Sequence, residues 1–157
     1  MTEFCDFALS NNIKLDFASG TGYLDMVNDP NYELRTLNKI MKKGGLLMID
    51  LPDYNSVCHE MIRYFPNESI RHLNGTQRSS FTYKSLSLLF KKNGYKIVKR
   101  WIYGIDFYMI MNVLNIQNKN FYKTNAMKIM TKRFSDFQDI FDKEKAADTL
   151  FLVAKKI

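Results

Sequence analysis

The feature that most constrains the fold is an amphipathic pattern that leads into a continuous apolar run. Leu34, Leu37 and Ile40 recur at a spacing of three, which is typical of one face of a helix. The run over residues 46–51 is apolar except for Asp50. Strands that are covered on both faces of a parallel sheet have this composition. The pattern therefore predicts an α/β domain in which helices pack against a sheet.

The rest of the chain continues the alternation of strands and helices. The predicted elements are a short helix over residues 1–12, a strand over 13–19, a turn over 19–22, a helix from 28 that stops at 42–45, a strand over 46–51, a short helix over 56–64, a polar connection over 65–80, a helix over 83–92, a strand over 95–103, a helix or loop over 104–116, a helical segment over 118–141 and a strand over 147–155. We therefore expect a single, incomplete α/β domain over residues 1–157, with a sheet of about four strands and flanking helices.

Composition excludes several classes of protein. Apolar residues make up 46% of the 157 residues and aromatic residues 14%, which argues against a disordered chain. No apolar run approaches the roughly 18 residues of a membrane-spanning helix, and no secretory signal opens the chain, so we expect a cytoplasmic protein without membrane association. The two cysteines and two histidines form no ligand spacing, and we expect neither a disulfide framework nor a metal site.

The formal net charge of +7 raises the question of a nucleic-acid partner. The 23 Lys and Arg residues occur in short scattered pairs such as Lys42-Lys43 and Lys91-Lys92, and no long basic tract stands out. No RNA-recognition signature is present either. Nucleic-acid binding therefore ranks last among the functions considered.

The order of these motifs resembles the class I methyltransferases that depend on S-adenosylmethionine. The run from Asp29-Pro30 through Lys42-x-Gly44-Gly45 to Pro52 is similar to the end of the fourth strand, the next helix and the fifth strand of that family. Residues 81–98 resemble its sixth strand with the preceding helix. Residues 148–156 resemble the last strand of members that act on small molecules and sugars. The resemblance spans residues 13–157, matches poorly around 104–140, and implies a partial Rossmann-like methyltransferase sheet.

Residues 15–24 resemble the family in two ways, and the sequence leaves both open. Gly20 and Gly22 are similar to the cofactor loop after the first strand, although Ala18 stands where the family usually has glycine. The same residues also resemble the fourth strand. Since Gly22 and Asp29 are so close in sequence, the resemblance implies that two or three strands, with the acidic residue that holds the cofactor ribose, are missing. The chain then corresponds to a truncated or internally deleted methyltransferase.

The resemblance implies S-adenosylmethionine as the cofactor, with contacts at Asp16, Ser19, Gly20 and Gly22. Glycines there let the backbone approach a ligand without a Cβ clash. The alternative is a plain strand-to-helix turn that uses glycine for its backbone freedom, because a lone Gly-x-Gly is a weak signal.

Methyl transfer needs placement of the acceptor and often a base to take its proton. Asp53, after the fifth-strand pattern, and His72, in the long polar connection, are the candidate catalytic residues. The alternatives are a solvated loop carboxylate and an exposed loop histidine. We expect no role for His59. The aromatic and methionine residues around 103–111 suit either an acceptor pocket or, more commonly, core packing.

Two functions remain in competition. The first is transfer of a methyl group to a small molecule or a nucleotide-linked sugar, where the sugar rests on the resemblance alone. The second is a catalytically inactive remnant or interaction module. In the family's strand order, the strand over residues 13–19 presents an unpaired edge, and such edges invite pairing with another chain. A homodimer through that edge is the corresponding expectation.

Overall fold

A computed structural model describes residues 2–65 and 77–157. Its helices are α1 (Thr2–Ser10), α2 (Pro30–Ile40), α3 (Val57–Tyr64), α4 (Tyr83–Lys92), α5 (Asp106–Gln117), α6 (Asn125–Lys132) and α7 (Phe134–Lys143), and a 3₁₀ turn lies at Phe121–Lys123. Its strands are β1 (Leu15–Thr21), β2 (Met41–Pro52), β3 (Tyr95–Tyr103) and β4 (Thr149–Lys156). The predicted mixed α/β class and the alternation of strands and helices are confirmed.

The four strands form one sheet in the order β1-β2-β4-β3. Strand β1 pairs with β2 in parallel, with Phe17 opposite Leu46 and Thr21 opposite Asp50. Strand β4 runs antiparallel to both of its neighbours, β2 and β3. The sheet therefore has a parallel half and an antiparallel half, and among the described residues β1 has a neighbour on one side.

Local chemistry explains how α2 begins and where it faces. The side chain of Asp29 accepts a hydrogen bond from the backbone N–H of Tyr32 at 3.0 Å, and Pro30 occupies the first turn, where a missing N–H costs nothing. Leu34, Leu37 and Ile40 are buried, as their spacing predicts. The predicted helix is therefore present, although it ends at Ile40 and not at residues 42–45.

The Lys-x-Gly-Gly segment is part of β2 and does not form the predicted turn after the helix. Gly44 has a φ of +83°, a left-handed conformation that favours glycine. A Cβ on Gly45 would lie 3.0 to 3.2 Å from the backbone oxygens of Lys42, Leu15 and Asp16. Glycine at this position therefore lets β1 and β2 approach where β2 begins.

The glycine-rich segment after residue 18 also differs from its prediction. Ser19 and Gly20 lie inside β1, opposite Met48 and Ile49, and do not form a turn. The chain leaves the strand at Gly22, whose φ is +53°. The sheet ladder continues through these residues because their backbone groups pair with β2, a tertiary contact that overrides the turn preference of the local sequence.

The main core lies on one face of the sheet, where residues of α1, α2 and α4 pack. In the strand register Ala18, Leu47, Ala154 and Ile97 lie side by side on this face. All four belong to or pack against the core cluster that contains Cys5, Leu34, Leu86 and Phe90.

The opposite face of the sheet carries a second apolar set and is more open to solvent. We call it the open face and define it by Phe17, Leu46, Met48, Val153, Phe151 and Trp101, which the strand register places on one side. Phe17, Leu46 and Trp101 are 52%, 38% and 39% exposed. The apolar composition of residues 46–51 predicted that β2 is covered on both faces, and in the described residues one face of it is well covered.

The segment between β3 and β4 folds into helices that pack on one another. The predicted helical stretch over 118–141 is divided into the 3₁₀ turn, α6 and α7. Phe107, Met109 and Met111 of α5 are buried in two small clusters, whereas Tyr103 and Tyr108 are exposed. This arrangement favours the packing interpretation of the aromatic and methionine residues over an acceptor pocket.

Within residues 2–65 and 77–157, no helix is long and apolar enough to cross a membrane. The same residues contain no cluster of three or more side chains suited to hold a metal ion. Cys5 and Cys58 are both buried and unbridged.

Candidate functional site

The carboxyl ends of β1 and β2 lie at the same edge of the sheet because the two strands are parallel. Thr21, the last residue of β1, is opposite Asp50, and β2 continues to Pro52. Ligands of open α/β sheets bind beyond the carboxyl ends of parallel strands. This edge is therefore the candidate functional site.

A pair of hydrogen bonds joins the two strand ends. The backbone N–H of Gly22 donates to Oδ1 of Asp50 at 2.8 Å and to the backbone oxygen of Asp50 at 3.1 Å. The left-handed φ of Gly22 turns the chain away from the strand at this point. Asp50 thus fixes the start of the loop that leads from β1 to α2.

A groove of about 350 Å³ lies beside β1, and we call it the edge groove. Ser19 and Gly20 line it, together with apolar residues of α1, α2 and β2. Tyr23 and Glu33 form its polar wall. The Tyr23 hydroxyl donates a hydrogen bond to Oε2 of Glu33 at 3.0 Å. Burial, and secondarily this hydrogen bond, raise the pKa of Tyr23 to about 12, so the phenol keeps its proton at neutral pH.

The four predicted cofactor residues are not all brought together. Ser19 and Gly20 line the edge groove and Gly22 follows at the strand end. Asp16 lies near the opposite end of β1, exposed, and its carboxylate pairs with the Lys42 ammonium at 2.8 Å. Its assignment as a cofactor contact stays a prediction, and Asp16 lies away from Ser19, Gly20 and Gly22 along β1.

Asp53 is buried, 5% exposed, just beyond the end of β2. Its backbone N–H donates to the backbone oxygen of Asp148 at 2.9 Å, and its Oδ1 accepts from the backbone N–H of Asn55 at 3.0 Å. Burial raises the pKa of the carboxyl group, and the Asn55 hydrogen bond, Arg100 and His59 partly oppose this shift. The solvated loop carboxylate of the sequence-based alternative is therefore wrong for Asp53.

His59, for which sequence analysis expected no role, lies beside the same carboxylate. It is 6% exposed in the first turn of α3, where its backbone N–H donates to Oγ of Ser56 at 3.2 Å. Its ring centroid is 4.5 Å from that of Tyr54. Ser56 caps the start of α3, but no local pattern in the sequence shows that this helix returns toward Asp53.

Two further buried carboxylates lie at this end of the sheet. Asp106 and Asp148 have no exposed surface, and Oδ2 of Asp106 accepts from the backbone N–H of Asp148 at 2.8 Å. Burial and the nearby Asp148 charge raise the pKa of Asp106. A Cβ on Gly104 would contact both carboxylates closer than 3 Å, so glycine makes room for the pair.

His72, the second predicted catalytic residue, lies outside the described residues. Its role stays a prediction.

A mixed sheet with a parallel half and polar groups at its carboxyl edge is typical of the Rossmann-like class. A family model described as a methyltransferase domain matches residues 2–100. The chain therefore belongs to this family of methyltransferase domains, and the class I methyltransferase fold is confirmed.

Solved structures of S-adenosylmethionine-dependent methyltransferases resemble the chain in fold. For one from Thermotoga maritima the TM-score is 0.55 at 16% identity, and the match covers 92% of this chain and 59% of that one. For one from Mesorhizobium loti the TM-score is 0.52 at 13% identity, with coverage of 91% and 62%. The chain thus spans less than two thirds of the length of either protein. No functionally curated protein matches the sequence.

The strand order bears on the two interpretations of residues 15–24. Strand β1 pairs directly with β2, which carries the Lys-x-Gly-Gly motif of the family's fifth strand. In the resemblance the fourth strand directly precedes the helix and the fifth strand along the chain, as β1 precedes α2 and β2. This order favours the fourth-strand interpretation, and the parallel pairing keeps Gly20 and Gly22 at the carboxyl edge of the sheet.

Proposed function

We propose that this chain forms the acceptor side of an S-adenosylmethionine-dependent methyltransferase that acts on a small molecule or sugar. The observation that carries the proposal is the edge itself. This chain belongs to the methyltransferase family. At its site, Gly22 and Asp50 join the ends of β1 and β2, and the buried carboxylate of Asp53 follows β2 directly. The sugar among the acceptors rests on the resemblance of residues 148–156 to sugar-modifying members.

The edge groove suits one side of the cofactor. A Cβ on Gly20 would meet the Tyr23 side chain at 3.3 Å and no backbone atom within 4 Å. The strand backbone therefore does not require glycine at this position, but glycine leaves more room in the groove. Ser19 also lines the groove, and the apolar lining suits a ring system. We assign Ser19, Gly20 and Gly22 to this contact. When bound, the group supplies a methyl group activated on a sulfonium.

Asp53 and His59 are assigned to the acceptor. A general base takes the proton of an acceptor hydroxyl or amine as the new bond forms, and a carboxylate with a raised pKa is a stronger proton acceptor than an ordinary one. Burial raises the pKa of Asp53, and His59 is near enough to act on its charge. His72 stays a further candidate for the same side of the site.

Calorimetric titration with S-adenosylhomocysteine tests the proposal. Binding with a dissociation constant below about 1 mM is expected, the upper range of enzyme–substrate affinities. Gly20→Val should abolish it, because the added methyl groups fill the wall of the groove. Leu88→Val is the matched control, since Leu88 is 63% exposed on α4, away from the groove lining. A folded sample that gives no heat at millimolar ligand contradicts the proposal.

One observation favours a second function, an interaction module without catalysis. Strand β1 is an edge strand in the described sheet, and the edge groove beside it is mainly apolar. Exposed strand edges recruit further strands. Absence of cofactor binding combined with self-association or partner binding through β1 would support this function.

A further inference from the structure

The half of the open face that β3 and β4 form is basic as well as aromatic. The strand register places alternate residues of these two strands on this side of the sheet, where lysines precede aromatic residues along β3. Lys155 lies opposite Lys96, and Phe151 lies opposite Trp101. We call this surface the basic–aromatic strip and define it by Lys96, Lys99, Trp101, Tyr103, Phe151 and Lys155.

The charge of the strip is of one sign. Lys96, Lys99 and Lys155 are exposed, and none of them forms an ion pair with any part of the chain that the structure describes. The segments that form β3 and β4 contain no Asp or Glu. Asp50 lies on the neighbouring strand, where its Oδ1 accepts from the backbone N–H of Gly22. The strip therefore complements a polyanion.

The aromatic side chains of the strip offer rings for stacking. The ring centroids of Trp101 and Phe151 are 4.0 Å apart with 20° between the ring planes, and Tyr103 lies 6.3 Å from Phe151. Trp101 and Tyr103 are 39% and 41% exposed. Unpaired bases stack on exposed aromatic side chains, and this contact tolerates any sequence because every base has a planar face.

From this combination we infer that the basic–aromatic strip binds single-stranded nucleic acid. Bases stack on Trp101 and Tyr103, and the lysine ammonium groups contact the phosphates. The inference goes beyond the proposed function and is independent of it, because it requires neither the cofactor nor a methyl acceptor.

The shape of the surface selects a single strand over a duplex. Residues two apart on a strand share one face and are separated by about 6.6–6.8 Å, so Trp101 and Tyr103 are each accessible to a separate base. A duplex keeps its bases stacked inside, and its major groove admits a helix or a two-stranded ribbon. The flat face of a four-stranded sheet instead receives bases that are splayed out of a single strand.

The strip also explains why the sequence gave no such signal. Nucleic-acid binding ranked last because the lysines occur in short scattered groups. Lys96 and Lys155 are far apart in the sequence, and the antiparallel pairing of β3 with β4 brings them together. The basic surface is thus a property of the sheet register and not of any local motif.

The test titrates the purified chain, without cofactor, into a fluorescein-labelled oligothymidylate of about 12 nucleotides, within the site sizes of single-strand-binding domains. We expect a dissociation constant of about 1–100 μM at physiological salt. The logarithm of the affinity should fall with the logarithm of the salt concentration with a slope of about −2, because three neutralised phosphates contribute about −0.7 each. Trp101 is the single tryptophan of the chain, so quenching of its fluorescence reports stacking at the strip.

Substitutions locate the binding, with folding checked by circular dichroism. Trp101→Ala should weaken it by about fivefold to 150-fold, the loss of one base stacked on an aromatic ring, and Trp101→Phe should restore most of it. Lys99→Gln should reduce the salt slope by about 0.7. Lys92→Gln is the matched control, because it removes the same charge from an exposed position on α4 and should leave the slope unchanged.

Three results would overturn the inference. The first is a folded chain that does not bind the oligonucleotide. The second is equal weakening by Lys92→Gln and Lys99→Gln, which would mean diffuse attraction to a chain with a net charge of +7. The third is binding to vesicles of phosphatidylserine and phosphatidylcholine without binding to the oligonucleotide, which would assign the strip to an anionic membrane surface. None of these results bears on the titration with S-adenosylhomocysteine, so the two proposals fail separately.

Discussion

Gly45→Ala gives the sharpest test of the strand arrangement that positions the site. Gly45 lies in β2 opposite the start of β1, and the change adds a single methyl group. That methyl carbon would lie 3.0 Å from the oxygen of Lys42, 3.1 Å from that of Leu15 and 3.2 Å from that of Asp16. All three are backbone atoms, so no side chain can rotate to relieve the contacts.

The magnitude follows from these distances. Ordinary van der Waals contact begins near 3.4 Å, so the three oxygens must yield by 0.2 to 0.4 Å. Overpacking of this kind costs about 1–3 kcal/mol. A glycine-to-alanine change also lowers the conformational entropy of the unfolded chain, which stabilises the folded state by about 0.4–1 kcal/mol. The expected net loss is about 1–2 kcal/mol, which lowers the melting temperature of a chain of this size by about 2–8 °C.

Urea denaturation followed by circular dichroism measures the change, and Gly20→Ala is the matched control in the neighbouring strand. An alanine at residue 20 meets the Tyr23 side chain at 3.3 Å and no backbone atom, so its stability should stay within about 0.5 kcal/mol of the original. The close approach of β1 and β2 would be refuted if Gly45→Ala were as stable as Gly20→Ala.

Further predictions concern the carboxylates around the site. The raised pKa values of Asp53 and Asp106 mean that the folded state binds more protons than the unfolded state, so the free energy of unfolding should increase as pH falls from neutral through those values toward 3.8. Asp53→Asn should weaken this dependence in urea titrations at a series of pH values, and an unchanged slope would contradict it. Gly104→Ala should cost more than about 2 kcal/mol in thermal unfolding, because the new methyl group meets two buried carboxylates. Asp50→Ala should cost about 1 kcal/mol and speed amide exchange at Gly22, whose N–H loses a charged acceptor.

The sequence predicted the elements best where one chemical signal determined the outcome. Asp29 and Pro30 define the start of α2, and the spacing of Leu34, Leu37 and Ile40 defines its buried face. These signals are local and depend on helix geometry alone. The methyltransferase family was likewise predicted from the order of short motifs and is confirmed.

The positions of the glycines were predicted wrongly because their conformation depends on tertiary contacts and not on local signals. Gly20, Gly44 and Gly45 were predicted to end or turn the chain, yet all three lie within strands. Their role depends on which backbone passes beside them, a tertiary property that no local pattern reports. The burial of Asp53 and the position of His59 next to it depend in the same way on how α3 returns to the sheet, and neither is visible from spacing.

The position of β4 has a consequence for how the domain is assembled. Strand β4 is the last strand in the sequence, yet it lies inside the sheet, where it pairs with both β2 and β3. Strand β3 has no other sheet neighbour in the described residues, so its backbone stays unpaired until residues 149–156 arrive. During synthesis β2 and β3 leave the ribosome before β4. Until β4 emerges, the edges of β2 and β3 that pair with it have unpaired backbone groups. The closing step joins segments about 100 residues apart, as in the pairing of Leu46 with Lys155, and such long-range closure slows folding. A chain shortened by its last strand therefore loses the link between the two halves of its sheet and not merely one edge.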